Sequence, residues 1–309
     1  MYGDTSAGSF THIEGYEDHS VNLLGTWNAA GELTGLVVNV PCPSQETEHL
    51  FEVSADYWHD VRVELRRRLG ERLFVLPQCS AAGDQSPHIQ WDKAAEARMR
   101  RLAGRSERQE IAMRIAAAVE AALPLAALER HSKPVLQHRW ETVDLPRRRL
   151  SDADVREALA GAEPHRIAYE RMLAELEAHP EMREKPRWYV PITHEYRRWR
   201  WHANVELRHA LEAVQPTLPV ELHAVRLGDI ALATNPFEYY LDYGVRIKAR
   251  SPATQTFLVQ LAGAGTYVPS ARSLAGKGYG SVPASTPVGP EGGTKIAEWT
   301  VASLKALWA

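Results

Sequence analysis

The segment RLFVLPQCSAAGDQSPH, residues 72–88, decides how this 309-residue chain can be interpreted. Its apolar first half predicts a buried strand over 73–76, which runs into a small, polar loop ending at His88. Loops at the carboxyl ends of strands in open α/β sheets are where such proteins bind ligands. This loop carries a carboxylate (Asp84), a hydroxyl (Ser86) and an imidazole (His88). The segment therefore predicts an α/β fold with a hydrolase-like site at one edge of a sheet.

The residues before this segment predict a βαβ unit. Strands at 21–27 and 33–40 are joined by a short turn, and the second strand is almost wholly apolar, as is typical of a strand covered on both faces. Ser54 is a candidate N-cap for a helix that ends at Gly70. A right-handed crossover brings the ends of both parallel strands to one sheet edge. We therefore expect the Cys42 loop, the helix start at Asp56 and the Ser86 loop to lie close together.

The remainder of the chain predicts a helical middle and an α/β final third. Residues from about 95 to 215 are rich in helix formers, with a break near Gly104 and an embedded strand at 135–145. The final third predicts strands at 222–227, 230–233 and 256–261, a helix at 237–249, a glycine-rich loop at 262–293 and a closing helix that ends at Trp308. The predicted fold class is α/β, a mixed sheet with flanking helices and a largely helical middle region. We expect one domain over 1–309, with 95–215 as a helical insertion.

Composition argues against several classes of protein. With 44% hydrophobic residues and a net charge of −3, the chain shows no sign of disorder and no general attraction to nucleic acid, so no nucleic-acid partner is expected. Two cysteines cannot form a disulfide framework. No apolar run is long enough to span a bilayer, and the N-terminus lacks the regions of a signal peptide. Because the chain opens in a polar loop, we expect an extended arm or a missing upstream part. Localisation, an upstream export signal and oligomeric state stay open.

Each candidate site residue also has a purely structural explanation. Ser86 lacks the G-x-S-x-G context of a nucleophile elbow, and serine and aspartate often populate turns. Glu238 falls in the first turn of a predicted helix, where the helix dipole stabilises a carboxylate or where the carboxylate could ligate a metal. Tyr267 and Tyr279 stand in the glycine-rich loop, either as packing anchors or as functional groups of a long ordered loop.

The histidines and one basic, aromatic segment are two further features that could indicate a binding site. None of the 13 histidines has the H-x-x-x-H or H-x-x-E-H spacing of zinc helices. Residues 182–202 interleave basic with aromatic side chains, which suits a stacked or phosphate-bearing ligand such as single-stranded nucleic acid. The same pattern suits an amphipathic helix whose tryptophans pack inward. The lack of an overall basic excess favours the helix.

Several short motifs together resemble the neutral/alkaline non-lysosomal ceramidases, which are zinc-dependent amidases. Residues 83–87 (GDQSP) resemble the G-D-x-S-P-N loop of that family, and 230–238 resemble the strand leading to its glutamate zinc ligand. Residues 267–270 (YVPS) are similar to its Y-V-T-T, and 278–280 to a later tyrosine-glycine segment. Residues 288–293 resemble the glycine-rich stretch before the closing helix of the family. The resemblance covers most of 20–95 and 218–309, with the motifs in the order of the family.

This resemblance implies a role for each candidate. Ser86 carries the hydroxyl chemistry, Asp84 orders the loop and Tyr279 supports the developing oxyanion. Glu238 and Tyr267 are the implied zinc ligands. His88 and Asn235 are the implied substrate-binding residues, and the implied substrate is a small or lipid-like amide or ester.

Two departures from the family pattern affect the zinc site. The upstream T-H-T-H segment of the family has no counterpart here, and the place of a second family histidine reads Pro41-Cys42-Pro43-Ser44. Cys42 could ligate zinc as a thiolate or could be a buried, inert thiol. The departures suggest an N-terminally truncated, divergent member with too few ligands for tight zinc binding. Two functions stay open: a zinc-dependent hydrolase, impaired here, and a catalytically silent protein that binds a lipid, glycan or peptide in the same cleft.

Overall fold

The computed structural model describes residues 4–50 and 52–309 and has the predicted mixed α/β architecture with flanking helices. The strands of these residues form three sheets, of which the first and second mix parallel with antiparallel pairing as predicted. The separation arises because the strands that follow the middle region pair with one another and with a strand inside that region. Local patterns do not encode such pairings.

The first sheet contains the predicted βαβ unit. Its strands β1 (Asn22–Trp27), β2 (Leu33–Val40) and β3 (Phe74–Cys79) lie in that order, with β1–β2 antiparallel and β2–β3 parallel. Helix α1 (Tyr57–Leu69) makes the crossover. Its N-cap is Asp56 rather than Ser54, because the Asp56 carboxylate accepts the Tyr57 N–H at 2.8 Å. The Ser54 hydroxyl instead accepts the Asp56 N–H.

Two helices follow this sheet where the sequence predicts a helical stretch with a break, and the second of them, α3, covers the sheet. Helix α2 (Lys93–Ala103) ends at Gly104, which adopts a left-handed conformation, and α3 (Glu107–Ala126) begins with a Ser106 capping box. Helix α3 packs on α1, so that Ile115 and Val119 share a core with Val61 and Leu65. The cross-helix contacts close the core around β2.

The middle of the chain adds one strand to the second sheet and a long helical hairpin. Strand β4 (Leu136–Pro146) precedes α4 (Asp152–Ala178), a short 3₁₀ turn (Pro180–Glu184) and α5 (Tyr189–Val214). The two helices are antiparallel, since Gly161 faces His202 and Tyr169 contacts Tyr196. Strand β4 pairs along its whole length with the next strand in the chain.

The second sheet has the order β4, β5 (Thr217–Leu227), β6 (Ile230–Thr234) and β8 (Gln255–Val259), with only β6–β8 parallel. Helices α6 (Leu241–Arg250) and α8 (Pro290–Trp308) pack against each other, and α8 covers one face of the sheet. That face buries Leu145, Leu222 and Leu304 in the largest core. The Asn39 amide donates to the Leu258 carbonyl at 2.6 Å and so ties the first sheet to the second.

The segment from 237 to 293 differs most from the sequence prediction. Residues expected to begin a helix at 237 form strand β7 (Glu238–Tyr239), which pairs in parallel with β9 (Tyr267–Val268) as the third sheet. The expected loop also contains α7 (Ala271–Gly276) and 3₁₀ turns at Tyr279–Ser281 and Pro283–Ser285. Two-residue strands are too short to show a periodic pattern. The sequence therefore cannot reveal that the residues of β7 pair with residues 29 positions further along the chain.

In the described part of the chain, no helix combines the length and the apolar character needed to cross a membrane.

Candidate active site

The loop after β3 is held at the carboxyl ends of several strands. The Gly83 N–H donates to the Tyr239 carbonyl at 2.9 Å, and the Ala82 N–H donates to the Gln260 side chain at 3.1 Å. A Cβ at Gly83 would lie 2.3 Å from the Glu238 carbonyl oxygen, so only glycine permits this approach. The loop therefore sits directly against β7.

Asp84 anchors the loop to the start of α6. Its carboxylate accepts the Leu241 N–H at 2.8 Å. Burial raises the pKa of Asp84 to about 6, although this hydrogen bond favours the charged form, and the nearby Asp242 charge raises it further. The side chain thus holds the loop in place and changes charge close to neutral pH.

Ser86 and His88 lie in the turn that follows. The Ser86 hydroxyl accepts the His88 N–H at 3.2 Å, while His88 Nε2 lies 3.3 Å from the Glu46 carbonyl oxygen. These bonds form a compact turn, which is the structural role expected of a loop serine. The same three side chains, Asp84, Ser86 and His88, line a cleft of about 550 Å³.

The other walls of the cleft come from five parts of the chain. They are an N-terminal arm, the end of β2, the start of α1, the start of α2 and one side of α3. The Cys42 loop, the α1 start and the Ser86 loop therefore converge as predicted. Asp56 fixes this convergence because its carboxylate accepts the N–H groups of Glu46 and Thr47.

The arm, defined as residues 13–20, closes one side of the cleft. Its Tyr16 carbonyl accepts the Gln85 amide at 3.3 Å. Asp18 pairs with Lys248 of α6 at 2.7 Å, and the two side chains are only 10% and 17% exposed. The arm is thus fastened both to the serine loop and to the body of the second sheet.

Glu238 and Tyr267 lie side by side on the parallel strands β7 and β9. Burial raises the pKa of Glu238, and a hydrogen bond to Tyr267 opposes that rise. Glu238 does not stand in a helix, so the predicted stabilisation by a helix dipole is wrong. Its backbone N–H instead donates to the Thr266 carbonyl, as strand pairing requires.

Tyr279 joins this pair through ring contacts. Its ring meets Tyr267 edge-on at 5.8 Å and stacks on Trp201 of α5 at 5.9 Å. The residue after Tyr279 must be small: a Cβ at Gly280 would lie 2.5 Å from the Tyr240 hydroxyl oxygen. Trp201 was missed as a site residue in the sequence. The only signal was its place in the basic, aromatic segment 182–202.

The predicted residues therefore fall into two neighbouring groups. Asp84, Ser86 and His88 line the cleft, and Glu238, Tyr267 and Tyr279 are absent from its lining as far as residues 4–50 and 52–309 describe it. Tyr240 stands between the groups. Burial raises the pKa of Tyr240, with a smaller contribution from the charges of Asp84, Glu14 and Glu238, and together they bring it to about 12.

Asn235 supports the second group from behind. It is only 4% exposed, and its side-chain carbonyl accepts the Phe237 N–H at 3.0 Å. This contact shapes the turn between β6 and β7. The substrate-binding role expected for Asn235 stays a prediction.

The side chains of the site do not fit a catalytic zinc ion. Glu238 and Tyr267, the ligands implied by the resemblance, would supply only two oxygen atoms, whereas a catalytic zinc normally has three protein ligands and water. Across the described residues, no three His, Cys, Asp or Glu side chains group around a common point. Burial raises the pKa of Cys42 to about 12, which keeps its thiol protonated and favours the inert-thiol alternative.

The basic, aromatic segment packs as an amphipathic helix. Trp199 lies on Tyr169 of α4 at 5.6 Å, and Trp201 faces Tyr279. Arg198 and Arg200 extend over the tryptophan rings at 5.4 and 5.7 Å. Trp199 and Trp201 thus face protein and arginine stems cover them, whereas Tyr189 and Tyr196 on the same helix are exposed.

Fold and site together define a mixed α/β protein in which a serine loop docks beside a glutamate–tyrosine pair. No protein-family model and no curated protein sequence matches the chain. Among solved structures it is similar to the neutral ceramidase from Pseudomonas aeruginosa, with a TM-score of 0.55 and 17% identity over 92% of this chain and 46% of that one. It is also similar to a ceramidase complexed with C2, with a TM-score of 0.57 and 13% identity over 93% and 47% of the two chains.

These matches confirm the ceramidase-like fold predicted from the sequence motifs. At such low identity the likeness concerns the fold alone. The chain spans about half the length of the solved ceramidases that it matches.

Proposed function

We propose that this protein is a ceramidase-like hydrolase that cleaves an amide or ester bond of a small or lipid-like substrate in the Ser86 cleft. The observation that carries the proposal is the docking of the serine loop against β7, through the Gly83–Tyr239 and Asp84–Leu241 hydrogen bonds. This docking joins a hydroxyl-bearing cleft to the Glu238–Tyr267 pair. The shared ceramidase fold supports the same proposal.

The residues of the chain suggest how the cleft would act. Ser86 would attack the carbonyl carbon and break its bond to the amine or alcohol, which would leave with the serine proton; water would then hydrolyse the acyl-serine to the free acid and restore the Ser86 hydroxyl. Asp84 would keep the loop in register by holding the Leu241 N–H. The resemblance assigns support of the developing oxyanion to Tyr279, which is 53% exposed but lies beside Tyr267, outside the described lining of the cleft, so this role requires the substrate carbonyl to extend from the cleft to Tyr279. No step of this scheme passes through zinc, because the described side chains supply too few ligands.

The test compares two serine variants of the purified chain. We expect turnover of a fluorescent N-acyl sphingosine, or of a p-nitrophenyl ester with the same acyl chain, to fall at least about 100-fold in Ser86→Ala because the nucleophile is lost. Ser132→Ala removes an exposed hydroxyl from the loop before β4, outside the cleft lining, and should leave turnover unchanged. Equal activity of Ser86→Ala and the original chain would refute the proposal.

A second function, binding without catalysis, is favoured by one observation. The Ser86 hydroxyl already serves its own turn, because it accepts the His88 N–H. On this alternative, the fluorescent amide binds the chain with no turnover, and a chelator has no effect. Ile111→Trp, which fills the cleft from α3, should then weaken binding, whereas Val63→Trp on the exposed side of α1 should not.

A further inference from the structure

Strand β4 leaves one edge of the second sheet open. It pairs with β5 over 11 residues without a bulge, and no strand of the described residues pairs with its other side. Every side chain from 136 to 142 is exposed, with Leu136 at 70% and Trp140 at 58%. Most proteins cover, shorten or bend such an edge, because its unpaired backbone groups can pair with another chain. A long, regular edge with an exposed tryptophan therefore indicates a partner strand.

The free backbone groups of this edge belong to the even-numbered residues. The Val135 carbonyl accepts a hydrogen bond from the residue after β5, and the Arg147 N–H donates to the residue before it. Odd-numbered residues therefore bond to β5, because backbone groups alternate sides along an antiparallel strand. The Asp144 carbonyl fits this pattern, since it accepts the Lys295 ammonium at 2.7 Å instead of a bond from β5. The even-numbered N–H and C=O groups from 138 to 142 consequently point to the open edge.

The charges beside Trp140 are self-complementary. Arg139 and Glu141 flank this residue, and their side chains are 49% and 51% exposed. In an antiparallel pair of identical strands centred on Trp140, Arg139 of each strand lies directly opposite Glu141 of the other. Opposite charges at such positions stabilise strand pairing. The edge of β4 thus matches a second copy of itself.

We infer that β4 pairs with β4 of a second copy, so that the second sheets of two chains form one continuous sheet about a twofold axis. Such an interface uses the same surface of both chains. With Trp140 opposite Trp140, the free N–H and C=O groups of His138 bond to those of Thr142 in the second copy. A shift of two residues in either direction puts Arg139 opposite Arg139 or Glu141 opposite Glu141, which is destabilising. The charges therefore favour the register centred on Trp140 over the two nearest ones.

Trp140 lies on the twofold axis of this arrangement. Its side chain projects from the sheet face opposite α8, because Val143 and Leu145, in the alternate set, are buried with α8. The two indole rings of the dimer meet on that face and lose exposed surface, and tryptophan is a typical residue of interface centres. Lys295 holds only the Asp144 carbonyl, which lies outside the central pairs. The central pairing therefore buries Trp140 without displacing Lys295.

Sedimentation velocity of the intact chain over a range of protein concentrations tests the inference. We expect a dimer, with twice the 34.6 kDa of the single chain. Arg139→Glu and Glu141→Arg should each weaken dimerisation at least about tenfold, because each change places like charges opposite each other on both sides of the axis. The double variant Arg139→Glu/Glu141→Arg restores opposite charges and should dimerise like the original chain. Circular dichroism checks that each variant folds.

Cysteine cross-linking with oxidised glutathione checks the register. Trp140→Cys places the thiols of the two copies opposite each other, with Cα atoms about 5.5 Å apart, so a disulfide-linked dimer should form. Thr142→Cys is the matched control, because its Cα atoms would lie about 14 Å apart and should give no such dimer. A chain that is monomeric at every concentration overturns the inference in favour of a different occupant of the edge, such as an extended peptide. Single charge variants that dimerise as tightly as the original chain, or cross-linking of Thr142→Cys without that of Trp140→Cys, overturn it as well.

Discussion

At Asp84, burial opposes ionisation of the carboxyl group, while the hydrogen bond from Leu241 favours it. Its carboxylate holds the Leu241 N–H, and burial nevertheless raises its pKa from 3.8 to about 6. A carboxyl group whose folded pKa lies above its unfolded value destabilises the native state progressively as pH rises from the unfolded to the folded pKa, and by a constant amount above the folded pKa. The gap between 3.8 and about 6 corresponds to about 3 kcal/mol at neutral pH. Site residues often carry such a cost because function requires the charge.

Asp84→Asn should therefore stabilise the protein at pH 7.5 and have little effect at pH 4. The amide keeps an oxygen that can accept the Leu241 N–H but never ionises, so the gain approaches about 3 kcal/mol above the folded pKa. Urea unfolding at the two pH values measures it. Asp144→Asn is the control, because Asp144 is exposed on β4 and should give no such gain. An equal effect of Asp84→Asn at both pH values would contradict the account.

For single residues, the sequence motifs predicted which polar side chains lie at the site, but they did not predict which residues contact those side chains. The motifs located Asp84, Ser86, Glu238, Tyr267 and Tyr279, and the structure brings them into two adjacent groups. Position 83 requires glycine because its backbone lies against that of Glu238. Glu238 is 155 positions away in the sequence, so no local pattern reveals this contact. Trp201 reaches the site only through the tertiary packing of the hairpin.

Among the elements, the arm (residues 13–20) has no helix or strand of its own, and the Asp18–Lys248 ion pair holds it against the protein. Burial raises the pKa of Asp18, but hydrogen bonds from Lys248 and Ser20 outweigh it, so the pKa is lowered overall. Lys248 also donates to Asn22 at the start of β1. Breaking a buried pair by removing one partner leaves an uncompensated charge, which costs more than the pair contributes.

Lys248→Met should release the arm while the sheets stay folded. Asp18 then loses its cation in a place where it is nearly inaccessible to solvent, and the arm moves outward to hydrate it. Hydrogen exchange followed by mass spectrometry should show amides 13–20 exchanging at least about tenfold faster, a change of about 1.4 kcal/mol in local opening. Lys305→Met, at the end of α8, should leave that segment unchanged. Unaltered exchange in Lys248→Met would show that other contacts hold the arm.

Elements with a local signature were predicted well, and those without one were not. The βαβ unit, the break at Gly104 and the closing helix follow from periodicity and caps, which are local properties. Strands β7 and β9 have two residues each and exist only because each satisfies the backbone groups of the other. The expected helix start at 237 failed for this reason, since the backbone of Glu238 and Tyr239 is committed to pairing.

In the whole molecule, the hairpin of α4 and α5 is fastened near the site by Arg208. Its guanidinium donates to the Pro283 carbonyl at 2.7 Å and to the Thr286 carbonyl at 2.5 Å, and desolvation lowers its pKa to about 10. Both carbonyls belong to the segment that follows Tyr279, and Trp201 of the same helix stacks on that tyrosine. The middle region and the final third of the chain therefore meet at Tyr279. The sequence predicted the helices but not this attachment, because the contacts join residues about 75 positions apart.

Arg208→Met should loosen the hairpin from the rest of the protein and disturb Tyr279. The variant leaves two carbonyls without their charged donor, and hydrogen bonds to charged groups contribute about 1.5–3 kcal/mol each, so a loss of about 3 kcal/mol is expected. Trp201 would then gain solvent exposure as its stack on Tyr279 opens. Thermal unfolding should show a lower midpoint, and tryptophan emission should shift to longer wavelength.

The control for this variant lies in the same hairpin. Arg166 pairs with Glu163 and Glu170 on the surface of α4, so Arg166→Met should change the midpoint and the emission very little, since exposed ion pairs contribute about 0–1 kcal/mol. If Arg208→Met unfolds like Arg166→Met and keeps its emission maximum, the attachment does not depend on Arg208. The packing of Trp201 against Tyr279 would then have to hold the hairpin in place by itself, which Trp201→Ala would reveal through the same two measurements.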